Sequence, residues 1–162
     1  MLSKKREETA AQFIDRFLQF TTLGVFVLSF SYGVGAASYF MPVEMVATMD
    51  TVKIGLAVLG SAIVLPFFIK FVRYRKTCGK SFLDQSGFII DVYRKACETA
   101  FAATFVFLIF LELVSGEIYP DLPAIVYVRA VLTVLLLSLS ISFFFMSRSD
   151  DEEYDDFGGE SA

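Results

Sequence analysis

The 162-residue chain has no histidine and no tryptophan, only two cysteines and only four prolines. Each scarcity excludes something. Without histidine the commonest zinc ligand and the usual haem ligand are missing. No cofactor is therefore expected, and no metal site made by this chain alone. Without tryptophan, any aromatic belt at a membrane surface must come from tyrosine and phenylalanine. The cysteines, Cys78 and Cys97, both fall in one basic segment, residues 73–97. Their spacing fits no zinc or redox motif, so they read as free thiols, with juxtamembrane lipidation as the sharper alternative. HExxH, CxxC, GxSxG and GxxxxGK[ST] are all absent, and no nucleophile–base set stands out. The chain does not read as an enzyme.

What is abundant is apolar surface. Hydrophobic residues make up 56% of the chain, nineteen residues are phenylalanine, and the mean hydropathy is +0.62. The excess lies in long blocks. About 20 apolar residues cross a bilayer core of about 30 Å. Four blocks meet that length, at about 17–41, 53–72, 98–118 and 124–147. The first is too long for a signal-peptide core, which runs to about 15 residues. These blocks predict an all-α integral membrane protein, with four transmembrane helices in an antiparallel bundle. Residues 1–16 read as an amphipathic N-terminal segment and 148–162 as an acidic, unstructured tail. Between the second and third blocks, residues 73–97 form a basic connection. Phe82, Ile89 and Tyr93 share one helical face there, suggesting an interfacial helix that lies on the membrane or leads into the third span.

Charge sets the expected orientation. Lys4, Lys5, Arg6 and Arg16 precede the first block. Arg73, Arg75, Lys76, Lys80, Arg94 and Lys95 lie between the second and third. The connections at 42–52 and 119–123 carry no basic residue. By the positive-inside rule both termini and the 73–97 segment face the cytoplasm, in a plasma or inner membrane. Those six basic residues are expected to contact lipid headgroups or a partner protein. Orientation and anionic lipid account for them, so nucleic acid is not an expected partner.

Three features inside the spans stand out. Ser29, Gly33 and Ala37 repeat every four residues, a small-residue stripe suited to close helix packing in lipid. Pro66 lies within the second block and is expected to kink it. Glu112 and Arg129 flank the turn Tyr119–Pro123 almost symmetrically, each about five positions, roughly 8 Å, from its helix end. An ionised group within a span is costly unless paired. The symmetry predicts an intramembrane Glu112–Arg129 ion pair, with Glu117 as a competitor nearer the surface. Ser138, Ser140 and Ser142, spaced by two, do not line one face. They are expected to satisfy backbone carbonyls or touch neighbouring helices. Asp84, Asp91 and Glu98 lie near one face but among basic residues, and read as a solvated surface. Tetraspanin- and claudin-like proteins carry cysteines in their outer loops, and these connections have none.

Together these features predict a non-catalytic accessory, assembly or scaffolding subunit of a larger membrane complex, with membrane lipids and other membrane subunits as partners. The competing expectation is a small permease component using Glu112 and Arg129.

Overall fold

A computed structural model describes residues 10–78, 88–117 and 122–155. It contains four long helices: α1 (Ala10–Ala37), α2 (Val43–Cys78), α3 (Phe88–Glu117) and α4 (Ala124–Asp155). Each is long and apolar enough to cross a membrane.

Local chemistry explains where the helices stop and restart. At the end of α1, Ser38 Oγ donates to the Gly35 carbonyl at 3.1 Å, and the chain tightens into a 3₁₀ turn, Ser38–Phe40. Met41 is extended, with φ −96° and ψ 152°, as the following Pro42 requires of its predecessor. Pro42 then starts α2, its carbonyl accepting from Met45 N–H at 2.9 Å. Pro123 does the same for α4, accepting from Val126 N–H at 2.9 Å. A proline at a helix start has no N–H to leave unsatisfied.

Three helices overrun their expected limits. Residues 43–52, read as a connection, are the first ten residues of α2. Residues 73–78 continue α2, and 88–97 open α3, so both ends of the expected basic loop are helical. Ile89 and Tyr93 accordingly belong to α3, the helix that carries the third apolar block. Beyond the fourth apolar block, α4 runs on to Asp155, so the tail expected to be unstructured begins as helix. The reason is shared: hydropathy marks what lies in lipid, and a helix does not end where lipid does. Phe82 and Lys80 lie outside the described residues, as do residues 1–9 and 156–162. Helix α2 passes through Pro66 without interruption, although the proline ring leaves the Ala62 carbonyl without its usual donor.

Charges mark a common slab. Lys53 and Lys70 stand seventeen positions apart on α2, about 26 Å of helix. Arg129 and Arg148 stand nineteen apart on α4, about 29 Å. On α3, Arg94 and Glu112 stand eighteen apart, about 27 Å. No charged residue falls between the members of the α2 and α4 pairs. Both distances approach the hydrocarbon thickness of a bilayer. Lys53, Glu112 and Arg129 lie toward the end at which α1 is joined to α2 and α3 to α4, here termed the hairpin end. Lys70, Arg94 and Arg148 lie at the opposite end.

The packing order is α2–α1–α4–α3. α1 is the most enclosed helix, with α2 on one side and α4 on the other; α2 and α3 each have one principal neighbour. Along α1 and α2, partners descend on one helix as they ascend on the other. Phe17 stacks on Phe71 with centroids 4.4 Å apart and Phe20 on Phe67 at 4.3 Å. Further up, a Cβ on Gly24 would lie 3.1 Å from the Gly60 carbonyl oxygen, and one on Gly60 3.1 Å from that of Gly24. Only glycine permits this approach. At the hairpin end, Ser31 Oγ donates across to the Lys53 carbonyl at 2.9 Å.

Small and hydroxylic residues hold α1 to α4. A Cβ on Gly33 would lie 3.3 Å from the Thr133 methyl. Ser140, fully buried, donates to Leu136 of its own helix at 2.8 Å and reaches the Thr22 carbonyl at 3.3 Å. Of the expected stripe, Ser29 is fully buried, its hydroxyl donating to Phe26 O at 2.6 Å, Gly33 meets α4, and Ala37 is half-buried. At the opposite end, α3 and α4 enclose Val92, Ala96 and Phe143, with Tyr93 edge-on to Phe143 at 6.0 Å.

Candidate functional site

The polar residues gather at the hairpin end of the slab, and they arrive there from three helices. Gly35 lies in the last turn of α1, where backbone carbonyls lack an i+4 donor. Its carbonyl accepts from Ser38 Oγ and also from Arg129 Nη1 of α4, at 2.8 Å. A cation there also suits the negative end of the helix dipole. The Arg129 guanidinium lies 5.8 Å from the centre of the Tyr39 ring, within cation–π range. From the other flank, α2 brings Lys53, whose ammonium is paired with Asp50 one turn earlier.

Gly35 is the pivot. A Cβ on Gly35 would lie 3.2 Å from Lys53 Cδ and 3.4 Å from Arg129 Cδ. Two cationic side chains from helices on opposite flanks of α1 thus lie over the same bare stretch of α1 backbone.

Sequence symmetry joined Arg129 to Glu112 across the Tyr119–Pro123 turn; the structure joins Arg129 to Gly35 and Tyr39. Helical phase explains the choice. Arg129, Thr133 and Ser140 lie on the α4 face turned to α1, whereas Tyr127, Val128, Val131 and Leu132 line a groove against α3. Glu112 is on that groove with Phe105, Leu108, Ile109 and Leu111; the groove encloses about 780 Å³, and its lining is mostly apolar. Glu112 is exposed there. The side chain of Glu117 lies outside the described residues.

Five of the six basic residues of the 73–97 segment lie on two helices, Arg73, Arg75 and Lys76 on α2 and Arg94 and Lys95 on α3. Arg73 is exposed on α2. Arg94 and Lys95 are exposed on α3, and Arg94 reaches Glu98 at 4.0 Å, with both side chains mostly in solvent. Such a pair adds little stability. Arg75 and Lys76 lie on the last turns of α2, their side chains, like all of Lys80, outside the described residues. Lys70 sits 5.6 Å from the Phe67 ring centre. Cys97 is an exposed free thiol, and Asp91 and Glu98 are exposed beside it on α3. Among the described residues, no group of three or more histidine, cysteine or acidic side chains is placed to hold a metal ion.

Sequence reasoning passed over Lys53, Asp50, Gly35 and Tyr39. The signal was present in the charge spacing along α2. Reading residues 42–52 as a loop hid it, because the α1–α2 register that brings Lys53 to Gly35 requires those residues to be helical. Comparisons with protein-family models, with curated proteins and with solved structures found no match to this chain.

Proposed function

We propose that this protein is a non-catalytic accessory, assembly or scaffolding subunit of a larger membrane complex. Its four helices would cross the membrane as an antiparallel bundle, with both termini in the cytoplasm. One observation carries this reading: the packing order leaves the bundle open. Helices α2 and α3 each rest on a single principal neighbour and turn long rows of large apolar residues outward. On α3 these include Phe101, Phe105, Phe110 and Leu113; on α2 they include Ile54, Val58, Leu65 and Phe68. In lipid, helix association draws on packing rather than on escape from water. An edge helix of this kind can accept another subunit's helix as readily as acyl chains.

The test is purification of the tagged protein from its native membrane in mild detergent, with mass spectrometry of the eluate. A reproducible partner at fixed stoichiometry is the expected result. A chain that elutes alone, or only with itself, would refute the subunit reading.

The α3/α4 groove favours a second reading, a small permease component in which Glu112 faces a passing solute. A Glu112→Gln protein that inserts normally but loses flux in vesicles would establish it; unchanged flux would dismiss it.

A further inference from the structure

We propose that Lys53 and Arg129 form a binding site for a phosphate group, supplied by a phospholipid headgroup of the leaflet at the hairpin end. The inference rests on the reading that the four helices cross a membrane, and not on the identity of any partner protein.

Three observations lead to it. The first is convergence. The stems of Lys53 and Arg129 meet over Gly35 from α2 and α4, so the two side chains can be no farther apart at their δ-carbons than the sum of their two short approaches to that glycine. The second is charge. Among the described residues, the charged groups that the contacts bring to this point are Lys53, Asp50 and Arg129, two cations against one carboxylate. Asp50 is the competitor that a phosphate must outbid at Lys53, and its side chain is half in solvent, 48% exposed. Arg129 contributes one N–H to the Gly35 carbonyl, and a guanidinium has five. Its planar fork matches two phosphate oxygens, and an ammonium supplies a compact third point.

The third is depth. Lys53 and Arg129 each stand about one hydrocarbon thickness from the basic residue at the other end of their helix. Long basic side chains at that level keep their stems in the hydrocarbon and extend their heads to the headgroup layer. That layer is where lipid phosphates lie. Capping of α1 by Arg129 accounts for one of the two cations; it does not account for a lysine brought over the same glycine from the opposite flank. Gly35 is the residue that leaves room for both.

The experiment uses the full chain in detergent and native mass spectrometry. Phosphatidylglycerol is the probe, and diacylglycerol with the same acyl chains is the phosphate-free control. Lys53→Gln, Arg129→Gln and Gly35→Leu are compared with Lys70→Gln at the opposite end. Helix content is checked by circular dichroism throughout. Retention of one phosphatidylglycerol is expected, without retention of diacylglycerol. Each hairpin-end variant should weaken it about tenfold or more, as loss of a charge-assisted hydrogen bond implies, while Lys70→Gln leaves it unchanged. If Arg129→Gln fails to fold because α1 loses its cap, Lys53→Gln and Gly35→Leu decide the matter. Binding that is equal in wild type and in these variants would overturn the proposal. Inorganic phosphate that binds alone, with the same dependence on Lys53, would uphold the phosphate site and assign it to a soluble ligand. Protease accessibility of wild-type chain in vesicles separates the two readings, because failure to span the bilayer would appear there and failure of the site would not.

Discussion

Single hydroxyl groups in this protein differ in what they hold. Ser138 donates to Val134 at 2.6 Å and to Leu135 at 3.2 Å, both on its own helix. Ser140 bridges its own helix to the Thr22 carbonyl of α1. Both are serines in the same apolar stretch, and nothing in their spacing distinguishes them. Ser140→Ala should therefore destabilise the α1–α4 contact by about 0.5–1 kcal/mol, the usual range for a hydrogen bond between membrane helices, while Ser138→Ala stays near zero. Thermal unfolding in detergent measures both. Thr22 makes the opposite case. Its hydroxyl is buried with no hydrogen-bond partner among the described residues. Replacing an unpaired buried hydroxyl by a methyl of the same shape removes a desolvation cost. Thr22→Val should raise the unfolding temperature, and a fall would show that the hydroxyl is satisfied in the bilayer.

At the scale of the helix, glycine position matters more than glycine content. Gly60 faces Leu28 and the Gly24 carbonyl at contacts that leave no room for a side chain, whereas nothing lies within 4 Å of a Cβ at Gly55. Gly60→Val should force α2 away from α1 and cost about 1–3 kcal/mol, as overpacking does. Gly55→Ala should stabilise α2 by up to about 1 kcal/mol through helix propensity alone. Unfolding of the two variants in one detergent compares them directly. Neither outcome could be assigned from the sequence, where both glycines sit in similar apolar surroundings. The four-residue spacing of Ser29, Gly33 and Ala37 can be seen in the sequence because it repeats on one helix. The Gly24–Gly60 contact was not, because it repeats on none: one glycine comes from each helix, and only the register joins them. The same limit applied to Arg129. Its distance from the turn could be counted, but its partner depended on helical phase, and a hundred degrees of rotation separates a residue facing α3 from one facing α1.

For the whole molecule, the four apolar blocks announced four long helices, since a span in lipid must be both continuous and apolar. Helix order was a different matter. Short connections place α1 beside α2 and α3 beside α4, yet they do not say which member of each hairpin faces the other. Residues on α1 and α4 decided it: Thr22 against Ser140, Gly33 against Thr133 and Gly35 against Arg129. Disulfide cross-linking in membranes tests the resulting order, in a background with Cys78 and Cys97 replaced by serine. Thr22→Cys with Ser140→Cys should cross-link readily. Leu59→Cys on α2 with Leu108→Cys on α3 should not, and efficient cross-linking of that pair would demand a closed bundle in place of the open order.

The spacing of charges along α2 and α4 has one further consequence. Two helices that measure nearly the same length between their basic residues make the molecule a gauge of bilayer thickness. A thicker membrane would draw Lys53 and Arg129, or Lys70 and Arg148, below the headgroups; a thinner one would leave apolar turns in water. Either mismatch costs a fraction of a kcal/mol for each ångström. Reconstituted into lipids of increasing acyl-chain length, the protein should be most stable where the hydrocarbon layer is about 26–29 Å, the helical length between those charges. Such a preference would sort it among cellular membranes without any targeting signal.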